Sequence, residues 1–222
     1  MKAISLLSGG LDSTVTLAYA LHQGYEVTAL TINYGQKHKR ELDAARAVTA
    51  HYNVPHIILD FPLTSLHSAL TDEKIPIPDR RPEDIGYDIP ETYVPARNIM
   101  FLSIAAGLAE SEDASAVFIG ANSIDYSGYP DCRPEFFQAF EAMLEVGTKR
   151  GVQGYPVSIE HPILKYTKAE IVKLGIRMEA PLHLTWSCYR GGEKACGHCD
   201  SCVLRLKGFK EAGEKDPVPY ED

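Results

Sequence analysis

Short apolar runs of strand length alternate with helical stretches along most of the chain, and this alternation constrains the fold more than any other feature of it. A strand, a helix and a second strand in succession return the chain to one sheet in one direction. Repetition of that unit builds a parallel sheet covered on both faces. Residues 2–7, 26–34, 55–61, 116–122 and 155–163 read as strands. Residues 14–23, 39–53, 98–112, 134–150 and 168–174 read as helices, the last opened by the capping box Thr167-Lys168-Ala169-Glu170. The expected class is α/β, and 222 residues are enough for one sizeable core. Residues 62–94 break the pattern: Pro62, Pro76, Pro78, Pro82 and Pro90 stand there with Arg80, Arg81, Glu83 and Asp84. That composition suits a disordered segment and a lid equally.

The first strand runs into SGGLDS, residues 8–13. A glycine-rich turn between strand and helix turns backbone N–H groups toward the helix start, where the dipole favours an anion. Gly9 and Gly10 allow close approach to pyrophosphate, with Leu11 in the same run. Ser8 and Ser13 can donate hydroxyl hydrogen bonds, and Asp12 can hold a Mg2+ ion bridging phosphate oxygens. The lysine of a Walker A loop and the spacing of a dinucleotide fingerprint are both missing. The plainer reading is a tight turn in which Asp12 or Ser13 caps the helix.

Four of the five cysteines, Cys188, Cys196, Cys199 and Cys202, fall within fifteen residues, among glycines that let the backbone wrap an ion. Four thiolates so spaced make a closed tetrahedral site, expected to hold one structural zinc ion per chain. An iron–sulfur cluster is the alternative, though ferredoxin-type runs place the fourth cysteine downstream, before a proline. His198 replacing one thiolate is another. The expected division is a nucleotide-binding domain over 1–180 and a zinc-binding segment over 181–222 packed on it, the metal pinning Trp186 and the basic stretch 205–210. Cys132, far from this group and without an evident histidine partner, reads as a packed residue.

In the middle of the chain, Asn98 reads as a helix N-cap, and Arg97 before it can face phosphate or a substrate carboxylate. Residues 120–136 leave a strand end, where parallel sheets bind ligands. Tyr126 and Tyr129 suit stacking on a flat heterocycle, and Asp125 or Asp131 suits its N–H donors. A turn-rich connection capped by the same two aspartates is equally consistent.

The net charge of −8 argues against a broad nucleic-acid surface. The opening residues lack the apolar core of a signal peptide, and no stretch reaches the roughly 20 apolar residues of a membrane span. We therefore expect a cytoplasmic protein with no nucleic-acid and no membrane partner.

SGGLDS resembles the signature of the PP-loop ATP pyrophosphatases, whose fold is Rossmann-like, of the adenine nucleotide α-hydrolase type. Their loop grips the β and γ phosphates as leaving pyrophosphate while the α phosphate adenylates a substrate oxygen, so a loop without lysine fits that use. Further stretches are NYGQKHKRELDAA at 33–45, YVPARN at 93–98, GANSIDYSGYPDCRPEF at 120–136, HPILKYTKAEIV at 161–172 and SCYRGGEKACGHCDSC at 187–202. Together they resemble the 7-cyano-7-deazaguanine synthase, or QueC, family of queuosine biosynthesis.

The resemblance implies an enzyme that converts 7-carboxy-7-deazaguanine, ammonia and ATP, with Mg2+, to a nitrile through adenylated carboxylate and amide, and that forms a homodimer. It implies that residues 8–13 bind ATP. The chemistry of such a reaction gives Asp12, Ser13, Arg97 and Lys168, with Lys165 as an alternative cation, as candidate catalytic groups. Asp125, Asp131 and Tyr129 are the candidates for holding the deazaguanine. Rival readings are a PP-loop enzyme acting directly on tRNA and a non-catalytic nucleotide-binding zinc module.

Overall fold

The computed structural model describes residues 1–79, 89–123 and 129–221. Strands β1 (Lys2–Leu6), β2 (Glu26–Asn33), β3 (His56–Asp60), β4 (Ala116–Phe118) and β5 (Ser158–Glu160) form one sheet in the order β3-β2-β1-β4-β5. Every pairing is parallel. In the central strand β1, Ala3 pairs with Val27 on one side and Ala116 on the other. Its two faces are both covered, which is why it reads as a continuous apolar run. Ile4 and Leu6 pack with Leu102 of α3 (Arg97–Ser111) and Phe137 of α4 (Pro134–Gly147). Ala3 packs with Leu17 of α1 (Leu11–His22) and Val48 of α2 (Arg40–Tyr52) on the opposite face.

A further layer lies outside α1. Its Val15 contacts a cluster with Ile171 of α6 (Lys168–Arg177) and Phe209 of α7 (Asp200–Ala212). Helix α1 is therefore enclosed between the sheet and these two helices, and its N-terminus is held in place from both sides. The strand order reverses between β1 and β4, so the connections leaving their carboxyl ends diverge and open a crevice. No helix among the described residues is long and apolar enough to cross a membrane.

The structure departs from the sequence reading in several places. The helix expected over 134–150 ends at Gly147, because Thr148 is extended (φ −119°, ψ 158°) and its hydroxyl caps a short α5 (Lys149–Val152) through Gly151 N at 3.0 Å. The strands expected over 116–122 and 155–163 shorten to three residues each. Helix α7 was not anticipated, because glycines and cysteines before it hide the start of its periodicity. The capping box at Thr167 is present, with Thr167 N donating to Glu170 Oε2 at 2.8 Å. Residues 62–79 form turns that carry Leu63 and Leu70 into the core, and Ala69 N donates to Glu91 O at 2.9 Å. Asp125 and Tyr126 lie outside the described residues.

The end of β4 approaches the start of α1 where Gly120 has no side chain: a Cβ there would stand 2.8 Å from Ser13 N. Gly120→Ala is expected to lower stability by about 1–3 kcal/mol, as overpacking does, and to weaken ATP binding because the loop must shift. Thermal unfolding and nucleotide titration check this; an unchanged ATP affinity would show that the loop does not depend on the approach.

Candidate active site

A cavity of about 230 Å³ opens at the carboxyl ends of β1 and β4 and is lined by the 8–13 loop. Gly9 takes φ +85°, and a Cβ on it would collide with the carbonyl of Glu41, so α2 is pressed against the loop. Gly10 is the N-cap of α1, and no side chain caps that helix, so neither Asp12 nor Ser13 has the capping role. Ser13 Oγ accepts from Ser8 N at 3.2 Å and donates to Gly10 O at 3.2 Å. It is also 3.0 Å from Ser8 Oγ, and since its one hydrogen is committed, Ser8 is the donor there. These bonds close the loop on itself and leave the N-terminus of α1 facing the cavity, where an anion is favoured.

Asp12 and Lys168 meet directly. Lys168 Nζ donates to the two carboxylate oxygens at 2.7 and 2.9 Å, with its side chain 7% exposed. Lys168 is the first residue of α6, so the Thr167 capping box fixes where its side chain starts. The lysine that the loop lacks is supplied from a helix 156 residues away.

Arg97, Tyr34, Tyr129 and Glu41 also line the cavity. Helix α3 begins at Arg97 with Ala96 as its N-cap, so Asn98 lies inside the helix and is not the expected cap. Ala96 adopts the left-handed region (φ 56°), which costs a non-glycine residue on the order of 1–2 kcal/mol. Tyr93 Oη accepts from Ala96 N at 3.2 Å and Asp131 Oδ2 accepts from Asn98 N at 3.0 Å, and these bonds hold the turn that aims Arg97. Burial works against the charge on Arg97, but Tyr34, Tyr129 and Asp131 around it raise its pKa and keep the guanidinium protonated. Burial raises the Tyr34 hydroxyl, which accepts a hydrogen bond from Arg97.

Of the residues proposed from sequence to hold a heterocycle, Tyr129 lines the cavity, with its hydroxyl 2.8 Å from Thr92 Oγ1. Asp131 is buried and engaged with α3, as described. Cys132 is buried, accepts from Asn98 Nδ2 at 3.3 Å, and burial pushes its thiol up to about 12, so it is not a thiolate near neutrality.

The Sγ atoms of Cys188, Cys196, Cys199 and Cys202 lie within 4.8 Å of one another and all four residues are buried. Cys196 N and Arg190 N both donate to Cys188 Sγ at 3.4 Å, and Cys199 N to Cys196 Sγ at 3.4 Å. Such backbone donors stabilise sulfur as thiolate, and the cluster can hold a metal ion.

The segment before the cluster contacts the 8–13 loop. Trp186 N donates to Gly9 O at 2.9 Å, and Ser187 Oγ lies 3.5 Å from Leu11 N. Arg205 of α7 lines the cavity; it donates to Ser187 Oγ at 3.2 Å and forms a buried ion pair with Asp216. Tyr34, Glu41, Ser187 and Arg205 were missed as site residues. All lie next to motifs that were noticed, but nothing in their spacing shows that four separate elements converge.

Cys196→Ser is expected to lower bound metal below one ion per chain. It is also expected to weaken nucleotide binding, because Trp186 loses its anchor, although no cluster cysteine lines the cavity. Metal analysis with ATP titration checks both, and full affinity after metal loss would separate the cluster from the loop.

The sequence profile of the family described as queuosine biosynthesis protein QueC matches residues 2–213. A protein of Picrophilus torridus is 54% identical over 222 residues, covering 100% of this chain and 92% of its own length. Proteins of Acetivibrio thermocellus and Coxiella burnetii are 56% and 51% identical, each covering 99% of this chain and 97% of its own length. All three are named 7-cyano-7-deazaguanine synthase. A solved structure described as a predicted subunit of tRNA methyltransferase from Methanocaldococcus jannaschii has the same fold. Its TM-score is 0.50 at 16% identity, with 97% of this chain and 90% of that one covered. The match over nearly the whole length, joined to a lysine-free phosphate loop and a four-cysteine cluster, shows that the chain belongs to the QueC family of queuosine biosynthesis proteins.

Proposed function

We propose that the chain is a ligase that converts 7-carboxy-7-deazaguanine and ammonia to 7-cyano-7-deazaguanine at the expense of ATP. The observation that carries this reading is the convergence of the 8–13 loop, Lys168 and Arg97 on one cavity in a QueC-family chain.

The carboxylate must lose both oxygens to become a nitrile, and each is a poor leaving group until activated. Transfer of AMP to the carboxylate, displacement by ammonia, and a second transfer to the amide oxygen remove them in turn. The loop holds the pyrophosphate that departs each time, through the N-terminus of α1 and the Ser8 and Ser13 hydroxyls. Lys168 moves its donors from Asp12 toward phosphate as charge builds between the α and β phosphates, and Arg97 orients the substrate carboxylate as a bidentate donor. Mg2+, when bound, neutralises phosphate charge, and Asp12 is the loop's own carboxylate to hold it.

Tyr129 offers a flat face to the deazaguanine. Asp131 is a positioning residue in this reading, acting through the start of α3, and Asp125 is left as the carboxylate for the base edge. Four sulfur donors leave no position for water, so we assign a structural zinc to the cluster. The family resemblance adds a homodimer and cytoplasmic residence.

Incubation with ATP, Mg2+, ammonium and 7-carboxy-7-deazaguanine is expected to give the nitrile and AMP by mass spectrometry. Folded, metal-loaded protein that yields no AMP would favour a non-catalytic module, and strongly salt-dependent binding of tRNA would favour a tRNA-modifying enzyme. Lys168→Gln is expected to lower turnover about 100-fold or more, in line with loss of one group that stabilises developing charge. Turnover within a few-fold of wild type would remove Lys168 from that role.

A further inference from the structure

The reaction proposed above makes a demand that the phosphate loop does not meet. The nitrogen arrives as ammonia with three hydrogens and leaves in a nitrile with none. One proton departs when ammonia displaces AMP from the acyl adenylate. Two more depart when the activated amide expels its second AMP and the carbon–nitrogen triple bond forms. Each must pass from nitrogen to an acceptor inside the cavity, and the acceptor must then release it to solvent.

Among the described residues, the cavity wall carries two carboxylates, Asp12 and Glu41, and no histidine. Asp12 has both oxygens on the ammonium of Lys168 and, once that ammonium turns to phosphate, is the carboxylate assigned above to Mg2+. The phenol of Tyr34 and the thiol of Cys132 are shifted upward by burial and are protonated throughout the neutral range. Glu41 is left. It stands in the first turn of α2, where its own carbonyl abuts Gly9, so the contact that presses α2 onto the loop also fixes Glu41 beside the 8–13 loop. It shares that wall with Arg97, the residue assigned to the substrate carboxylate.

Resting on the proposed function, we infer that Glu41 is a catalytic residue, the general base that accepts the protons shed by the incoming nitrogen. Its electrostatic setting suits the work. Burial pushes the carboxyl up to about 7, with Arg97 opposing the rise and Cys188 adding to it. An acceptor poised near neutral pH can take one proton at a time and return it to water before the next of the three departs. The same carboxylate would serve both stages, because the nitrogen stays bonded to the same carbon throughout.

The test separates adenylation from the steps that need a base. With 7-carboxy-7-deazaguanine and ATP but no ammonium, exchange of labelled pyrophosphate into ATP reads the first adenylation alone. Glu41→Gln is expected to keep this exchange within about threefold of wild type, while amide and nitrile formation with ammonium fall about 100-fold or more. Glu41→Asp, which keeps a carboxylate on a shorter arm, is expected to keep exchange and form nitrile at a rate between those of Glu41→Gln and wild type.

Wild-type nitrile rates in either variant would overturn the inference. So would loss of exchange together with nitrile in a Glu41→Gln protein of unchanged melting temperature, since Glu41 would then position ATP. Should Glu41→Gln not fold, the Glu41→Asp comparison decides alone. Absence of acid-dependent exchange in the wild-type protein overturns the functional reading itself, whereas wild-type exchange with an unimpaired Glu41→Gln overturns only the role of Glu41.

Discussion

The backbone hydrogen bond from Trp186 to the carbonyl of Gly9 joins the two regions on which the site depends. A loop of two glycines and two serines has little stiffness of its own, and glycine loses more conformational freedom on ordering than any other residue. Its shape is therefore imposed from outside. Helix α2 closes on Gly9, the end of β4 closes on Ser13 through Gly120, and the segment leading to the cysteines bonds to Gly9 from a third direction. A preformed anion cradle results, one that need not be ordered at the moment of binding.

The distribution of charge follows from the same arrangement. A loop lysine would grip a phosphate that stays; this site is read as one that releases pyrophosphate and handles a carboxylate as well. The cations come from three separate elements, Lys168 on α6, Arg97 on α3 and Arg205 on α7, and each has an anionic or hydroxyl partner, Asp12, Tyr34 and Asp216 respectively. Lys168 is neutralised by Asp12 and Arg205 by Asp216, so the protein does not bury uncompensated charge before ligands arrive. The cavity is electrostatically ready for polyanions without being destabilised by their absence.

The sheet could be read from the sequence because its inner strands β1, β2 and β4 are largely buried, which leaves a continuous apolar signature. The 8–13 loop stood out as a candidate anion cradle because its glycine pair lies between the first strand and the first helix, although a plain capped turn has the same composition. The cysteine group was visible because four sulfurs in fifteen residues serve one purpose. What stayed hidden was convergence. Glu41 stood only as one residue of the family stretch 33–45 and Arg205 as one of the basic stretch 205–210. Their placement in the cavity depends on contacts with Gly9 and Asp216 that no local pattern encodes. Asn98 looked like a cap because its type favours that position, yet Asp131 supplies the acceptor from 33 residues away and Ala96 takes the turn. Helix α7 escaped notice because metal-binding residues occupy the positions where its start signal would stand.

The contact between the loop and the cysteine segment bears on how the chain acquires its function in time. Leu11 and Ser187 are separated by 176 residues, so the loop is synthesised well before the segment that supports it. Contacts of such separation form late, since the loop-closure entropy must be met before they contribute. An emerging chain thus carries an incomplete cradle until the cysteine segment has left the ribosome and folded. The loop and the segment leading to the cysteines thus reach their final form together, however early the loop itself was made.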